Sequence, residues 1–306
     1  MGSHFVKYWR KQHPEDFIIN FDALTYAGKR ENQLELEAQP NYYFVHGDIR
    51  DDGLLHEIFT GVYECLPKPD TIVHFAAETH VDRSIEQAAL FVETNVLGTQ
   101  HLLEVARRYG NIRYHQISTD EVFGSLGKDD PPFHERSFFA PRSPYAASKA
   151  AADHLVRAYF ETYGLPITIS YSSNNFGPRQ FPEKLIPLAI RNLVDGKKVP
   201  VYGKGLNMRD WLYVEDHCSA IEQILLRGRK GESYCVGGGW PERTNLELLR
   251  EILRLMGKDE SLLEFVPDRQ GHDFRYRMDC TKIQKELGWK ASVSVEEGLK
   301  RIMEIP

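Results

Sequence analysis

Tyr114-His115-Gln116-Ile117-Ser118-Thr119-Asp120-Glu121, followed 25 positions after Ser118 by Ser143-Pro144-Tyr145-Ala146-Ala147-Ser148-Lys149, decides how the chain is read. The first stretch is a short strand that ends in a hydroxyl and two carboxylates. The second opens a helix, with serine suited to the N-cap and proline to the first helical position. Tyr145 and Lys149 stand at i and i+4, so the phenol and the ammonium share one face. A nearby cation favours phenolate and makes tyrosine a usable base near neutrality. Asp120 and Glu121 resist ionising together, so one carboxyl can stay protonated as an acid while its neighbour acts as base. Taken singly, a Y-x-x-x-K arises by chance, and an acidic pair at a strand end is ordinary loop chemistry. Together they form an acid/base set where open α/β sheets bind ligands, at the carboxyl ends of strands.

Outward from that core, short apolar runs alternate with helical patterns. Phe17–Asp22, Tyr42–Asp48, Thr71–Ala77, Tyr114–Ser118 and Ile167–Tyr171 read as strands. A long helix lies between the third and fourth, with Val92, Val96, Leu102, Leu103 and Ala106 as its buried stripe. This order predicts an α/β fold with a parallel sheet wrapped by helices. After about Asn174 prolines and glycines are more frequent, and Ser294-Val295-Glu296-Glu297 predicts a capping box at the last helix. The division expected is a nucleotide-binding domain over residues 1–173, rejoined by about 209–228, and a smaller domain over 174–306.

Composition narrows the function classes. The 306 residues carry 38 Lys+Arg and 44 Asp+Glu, a net charge of −6, which argues against a nucleic-acid binder. No run of 18 apolar residues occurs, so no membrane span is expected. Four cysteines without C-x-x-C spacing predict neither a disulfide framework nor a zinc site. A soluble cytosolic protein is expected. Asp22 at a strand end, followed by Thr25, suits a ribose hydroxyl and favours NAD over NADP. Asp48-Ile49 and Ala76-Ala77 occupy equivalent strand ends, where small side chains let a flat base or a pyrophosphate approach.

The chain resembles the extended short-chain dehydrogenase/reductases, and among them the nucleotide-sugar 4,6-dehydratases. The resemblance is carried by Phe21–Gly28, His74–Ile85, Ser118–Gly124, Tyr145–Lys149, Ser173–Pro178, Arg209–His217 and Asp268–His272. It covers about residues 2 to 300. Y-x-x-x-K belongs to the wider superfamily, whereas Thr-Asp-Glu with His-Val-Asp-Arg-Ser-Ile is narrower. The resemblance implies a Rossmann-type doubly wound parallel sheet with a smaller C-terminal α/β substrate domain. It implies a homodimer, with helices from Phe91 to Tyr109 and Pro144 to Tyr163 pairing. It further implies an internal redox elimination on a nucleotide-linked hexose, with NAD as cofactor. Thr119, Asp120, Glu121, Tyr145 and Lys149 would be catalytic. NAD would be held by Asp22, Thr25, Asp48, Ile49, Ala76, Ala77, Thr94, Tyr145, Lys149 and Asn175. The sugar nucleotide would meet Thr79, Asn174, Lys184, Leu185, Pro200, Tyr202, Arg209, Asn245, Asp268, Arg269 and His272; of these, Lys184, Arg209 and Arg269 supply the cations that a diphosphate needs.

Two departures stand out. Gln270 replaces the proline usual in Asp-Arg-Pro-Gly-His, with a small effect expected. The family also opens with a buried strand and G-x-x-G-x-x-G, whereas Met1-Gly2-Ser3-His4-Phe5-Val6 matches only the tail of that motif. Gly2 is then its last glycine, or Gly-Ser-His is a cloning scar; either way roughly 10 residues, a strand and a glycine turn, are expected ahead of Gly2. Two other readings stay open. One is an epimerase or decarboxylase on the same scaffold, against which the Asp120-Glu121 pair argues. The other is a non-catalytic dinucleotide sensor, which would need none of the acid/base set.

Overall fold

The computed structural model describes residues 1–110, 112–268 and 270–304. Its strands are β1 (Ile18–Asp22), β2 (Tyr42–His46), β3 (Thr71–His74), β4 (Arg113–Thr119), β5 (Ile167–Ser172), β6 (Asn174–Phe176), β7 (Val199–Tyr202), β8 (Met208–Arg209), β9 (Trp211–Tyr213), β10 (Ser233–Val236), β11 (Arg243–Thr244) and β12 (Leu263–Val266). The helices in the first half are α1 (Gly2–Gln12), α2 (Leu34–Glu37), α3 (Asp52–Thr60), α4 (Val81–Glu86), α5 (Ala88–Phe91) and α6 (Gly98–Arg108). Then follow α7 (Pro144–Tyr163), α8 (Leu185–Val194), α9 (Val214–Arg227), α10 (Asn245–Leu255), α11 (Thr281–Leu287) and α12 (Val295–Met303).

β3, β4, β5 and β10 form one parallel sheet in the order β10-β5-β4-β3, and β1 pairs with β2 in a separate parallel ribbon. β5 is buried along its whole length, the pattern of a strand covered on both faces. The ribbon and the sheet share no ladder among the described residues. β1 and β3 instead line one cavity of about 930 Å³, bordered also by Phe5 of α1 and Ile58 of α3.

Three apolar clusters hold the molecule. The largest packs α3, α6 and α7 on the sheet and takes in Tyr276, Met278, Ile283, Leu287 and Trp289 from the C-terminal part of the chain. A second joins α8, α10 and α12 around β7 and β9. A third seats Phe5 of α1 against Val214, Cys218, Ile221 and Leu225 of α9. Three further two-stranded sheets, β11-β8, β12-β7 and β6-β9, complete the strands.

The five sequence-read strands appear with shifts of only a few residues at their ends. Ser143 caps α7 as expected, its Oγ accepting the Ala146 N–H at 3.1 Å. Ser294 caps α12, accepting the Glu297 N–H at 3.2 Å. The reciprocal capping box lies instead at Thr244 and Glu247, which start α10. The expected long helix before β4 runs without a break from Ala88 to Arg108, but it is not α-helical throughout. α4 and α5 lead into a π-helical turn over Val92–Leu97 before α6 begins. One extra residue per turn rotates the face. Leu102, Leu103 and Ala106 are therefore buried as expected, but Val92 is exposed and Asn95 takes an inward position.

Candidate active site

β4 delivers its carboxyl end into the cavity between the ribbon and the sheet, where Thr119, Asp120 and Glu121 line the wall with Tyr145. A 3₁₀ turn over Asp120–Phe123 follows, and Thr119 caps it by accepting the Glu121 N–H at 3.3 Å. Gly124 ends the turn at φ +88°, and a Cβ there would lie 2.5 Å from Ala140 O. Only glycine fits this position without strain. The Thr-Asp-Glu segment is thereby held at both ends.

The carboxyls have different environments. Asp120 is buried, and among the described residues its Oδ2 has no hydrogen-bond partner, while Oδ1 accepts the Thr119 hydroxyl at 3.2 Å. Burial first, and the neighbouring Glu121 charge second, hold Asp120 well above the usual carboxylate range. Both causes favour the protonated form of Asp120 over the carboxylate. Tyr145 is also pushed well above an ordinary phenol, by burial and then by Glu121. This corrects the expectation that the nearby Lys149 cation lowers the phenol pKa, since burial and Glu121 outweigh it here. The Lys149 ammonium is spent on Ile117 O, at 2.8 Å, and is itself lowered by burial.

The NAD residues expected from sequence converge. Asp22, Thr25, Asp48, Ile49, Ala76, Ala77, Thr94, Tyr145 and Asn175 all line the cavity, and Lys149 lies behind Tyr145 on α7. Asp22 closes its turn by accepting the Leu24 N–H at 2.8 Å, and Asp48 is held by Arg50 at 2.7 Å. Carboxylates at or just past strand ends, in one cavity with the apolar Ile49 and the small Ala76 and Ala77, suit hydroxylated riboses and a flat base, so the residues present fit the dinucleotide.

The substrate residues divide. Thr79, Asn174 and Lys184 line the same cavity, and Lys184 Nζ donates to Thr79 O at 3.2 Å. Leu185 is the first residue of α8. Tyr202, Asp268 and His272 form a separate cluster: His272 Nδ1 lies 2.6 Å from Asp268, and its ring meets Tyr202 edge-on at 6.3 Å. Pro200 stands on β7 opposite Glu264, and Asn245 begins α10. Arg209 donates to the carbonyls of Met208, Asp273 and Phe274 at 2.8–3.3 Å and lies over the Tyr276 ring. Arg269 lies outside the described residues.

Sequence reading missed Asn95. Its Oδ1 accepts the Glu78 N–H at 2.9 Å, and its Nδ2 donates to Glu78 O at 3.0 Å and to Ser148 Oγ at 2.8 Å. It thereby fastens the loop after β3 to the turn of α7 between Tyr145 and Lys149. The only sequence signal was a polar residue inside an apolar helical pattern.

A dinucleotide cleft and a Tyr/Lys pair beside a buried acid and a second carboxylate define an enzyme that couples hydride transfer to proton transfer. The chain belongs to the GDP-mannose 4,6 dehydratase family, whose profile matches residues 1–302. It is 46% identical over 321 residues to dTDP-glucose 4,6-dehydratase of Haemophilus influenzae, covering 98% of this chain and 93% of that protein. Against the enzyme of the same name from Streptomyces niveus identity is 50% over 287 residues, 94% of this chain and 82% of that one. The solved dTDP-glucose 4,6-dehydratase DesIV of Streptomyces venezuelae, with NAD and TYD bound, superposes with a TM-score of 0.92 at 49% identity. That superposition covers 98% of this chain and 92% of DesIV.

Proposed function

We propose that this chain is an NAD-dependent lyase that converts dTDP-glucose to dTDP-4-keto-6-deoxyglucose. One observation carries the assignment of roles: Asp120 is buried, with burial and the adjacent Glu121 both favouring its protonated form, in the cavity that Glu121 and Tyr145 also line. An elimination needs that asymmetry, whereas an epimerisation at C4 does not. Tyr145 receives the proton of the sugar 4-hydroxyl as C4 is oxidised. The 4-ketone acidifies the C5 proton, which Glu121 removes. Asp120 donates its proton to the 6-hydroxyl, which leaves as water and creates the C5–C6 double bond. Hydride then adds to C6 and a proton returns to C5, so the net change is loss of one water. NAD, when bound, supplies the hydride acceptor for C4, the donor for C6, and a positive charge that favours Tyr145 phenolate. Thr119 hydrogen-bonds the sugar near O4 and lowers the cost of negative charge there.

Reaction in deuterated water tests the assignment. The product is expected to carry deuterium at C5, and a product without it removes Glu121 as the base.

The same reading extends to assembly and place. The protein works as a homodimer, for which exposed Val92 and Leu97 on one helical segment and the exposed small residues Ala147, Ala151 and Ala158 of α7 supply a surface. Sedimentation of the purified chain at micromolar concentration tests this, a monomer being the contrary result. It acts in the cytoplasm, where its free cysteines suit a reducing compartment.

A further inference from the structure

Helix α7 carries a third ionisable group that the scheme above leaves unused. Tyr145, Lys149 and Asp153 follow one another at four-residue steps, so the acid lies on the stripe that carries the pair. Asp153 is fully buried, and its Oδ2 accepts the Ser118 hydroxyl at 2.5 Å. Lys149 Nζ donates to the carbonyl of Ile117, the residue just before Ser118. Two successive residues of β4 therefore seat the base and the acid of α7.

The surroundings leave Asp153 as the counter-charge. From α7 it faces Lys149, Arg157 and Tyr145; from β4, Tyr114, Gln116 and Ser118; from β5, Tyr171. Arg157 is engaged elsewhere, donating to the Tyr171 hydroxyl and Ser233 Oγ, each at 3.1 Å. On the β3 side Lys149 meets His74, which burial holds neutral, its pKa down at about 3. Burial works against the Lys149 ammonium, and the Asp153 carboxylate works for it. Asp153 is itself raised to about 6 by burial, so it is still an anion at neutral pH.

We propose that Asp153 is a positioning residue that keeps Lys149 cationic and seated on Ile117 O behind Tyr145. The inference rests on the reading of Tyr145 and Lys149 as an acid–base pair, but its first test does not. In lysine-labelled protein, with the Lys149 signal identified by its loss in Lys149→Arg, the near-isosteric Asp153→Asn lowers the midpoint of Lys149 deprotonation by about one pH unit or more. Asp153→Glu restores it. Ser118→Ala, which loosens the carboxylate without removing it, gives a smaller shift in the same direction and serves if Asp153→Asn does not fold. An unmoved Lys149 midpoint in a folded variant overturns the proposal. The second readout is the pH profile of turnover, whose alkaline limb moves down by the same amount while KM for the sugar nucleotide at neutral pH is unchanged. A shifted Lys149 signal with an unshifted limb upholds the Asp153–Lys149 coupling and overturns instead the acid–base reading of Tyr145 and Lys149.

Discussion

The carboxyl end of β4 and the Tyr202–Asp268–His272 cluster make opposite use of the chain. At the first, Asp120, Tyr145 and Lys149 are buried, their backbone is set by a strand, a capped helix and a glycine of fixed φ, and their protonation is governed by the protein. At the second, Tyr202 is 41% exposed at the end of β7, Asp268 lies just beyond the end of β12, and only the His272 ring is tucked in, 6% exposed. Rigid, desolvated groups are suited to chemistry, because their pKa values are set before a ligand arrives. The second cluster mixes exposed and buried groups at the ends of elements, an arrangement suited to grip, in which each contact is worth less.

The contrast can be broken by substitution. Asp120→Asn is expected to cut turnover by about 10²–10⁴-fold, with elimination slowed far more than C4 oxidation. Rapid-quench separation of the two steps checks this, and equal slowing removes Asp120 as the acid. Next in size is an effect of acid on the stability of the fold. His74, His115 and His217 are buried and depressed from 6.5 to about 3, each chiefly by desolvation. The folded state then binds fewer protons than the unfolded state between those values. Their neutral burial contributes stability that is intact above pH 6.5 and lost as pH falls toward 3. Urea midpoints measured across this range should fall steeply, and a flat profile would show that these imidazoles titrate normally.

A third experiment probes the tie between the loop after β3 and α7. Asn95→Ala removes three hydrogen bonds and leaves the Glu78 backbone groups unpaired, at a cost of about 1–3 kcal/mol. Denaturant melting reads that cost. The smallest effect is expected at the Tyr202–Asp268–His272 cluster: His272→Ala should raise KM about tenfold, or ~1.4 kcal/mol, and leave kcat unchanged. A large loss of kcat there would erase the distinction between the regions.

Legibility in the sequence follows the same divide. Strand ends, the Ser143 cap and the cavity residues at strand termini were readable from local rules, namely alternation of apolar runs, capping chemistry and carboxylates at strand ends; Thr79, Thr94, Asn174, Asn175 and Lys184 came only through the family resemblance. The π turn was not readable. Its single added residue leaves Val92 to solvent and turns Asn95 inward, and no composition of Val92–Leu97 announces it. The rise in the Tyr145 pKa was hidden too, since it depends on burial and on Glu121, both set by tertiary packing. Asp153 sat in plain view at a four-residue step from Lys149, yet its meaning required the Ser118 hydroxyl to be placed against it.

The unbroken ladder through β10, β5, β4 and β3 has a mechanical consequence. Each of these strands shares backbone hydrogen bonds with its neighbour, so the strand end that carries Asp120 loosens only when the sheet does. Amide exchange in β4 and β5 is therefore expected to track global unfolding, and the acid at the end of β4 sits on the stiffest spring the chain offers.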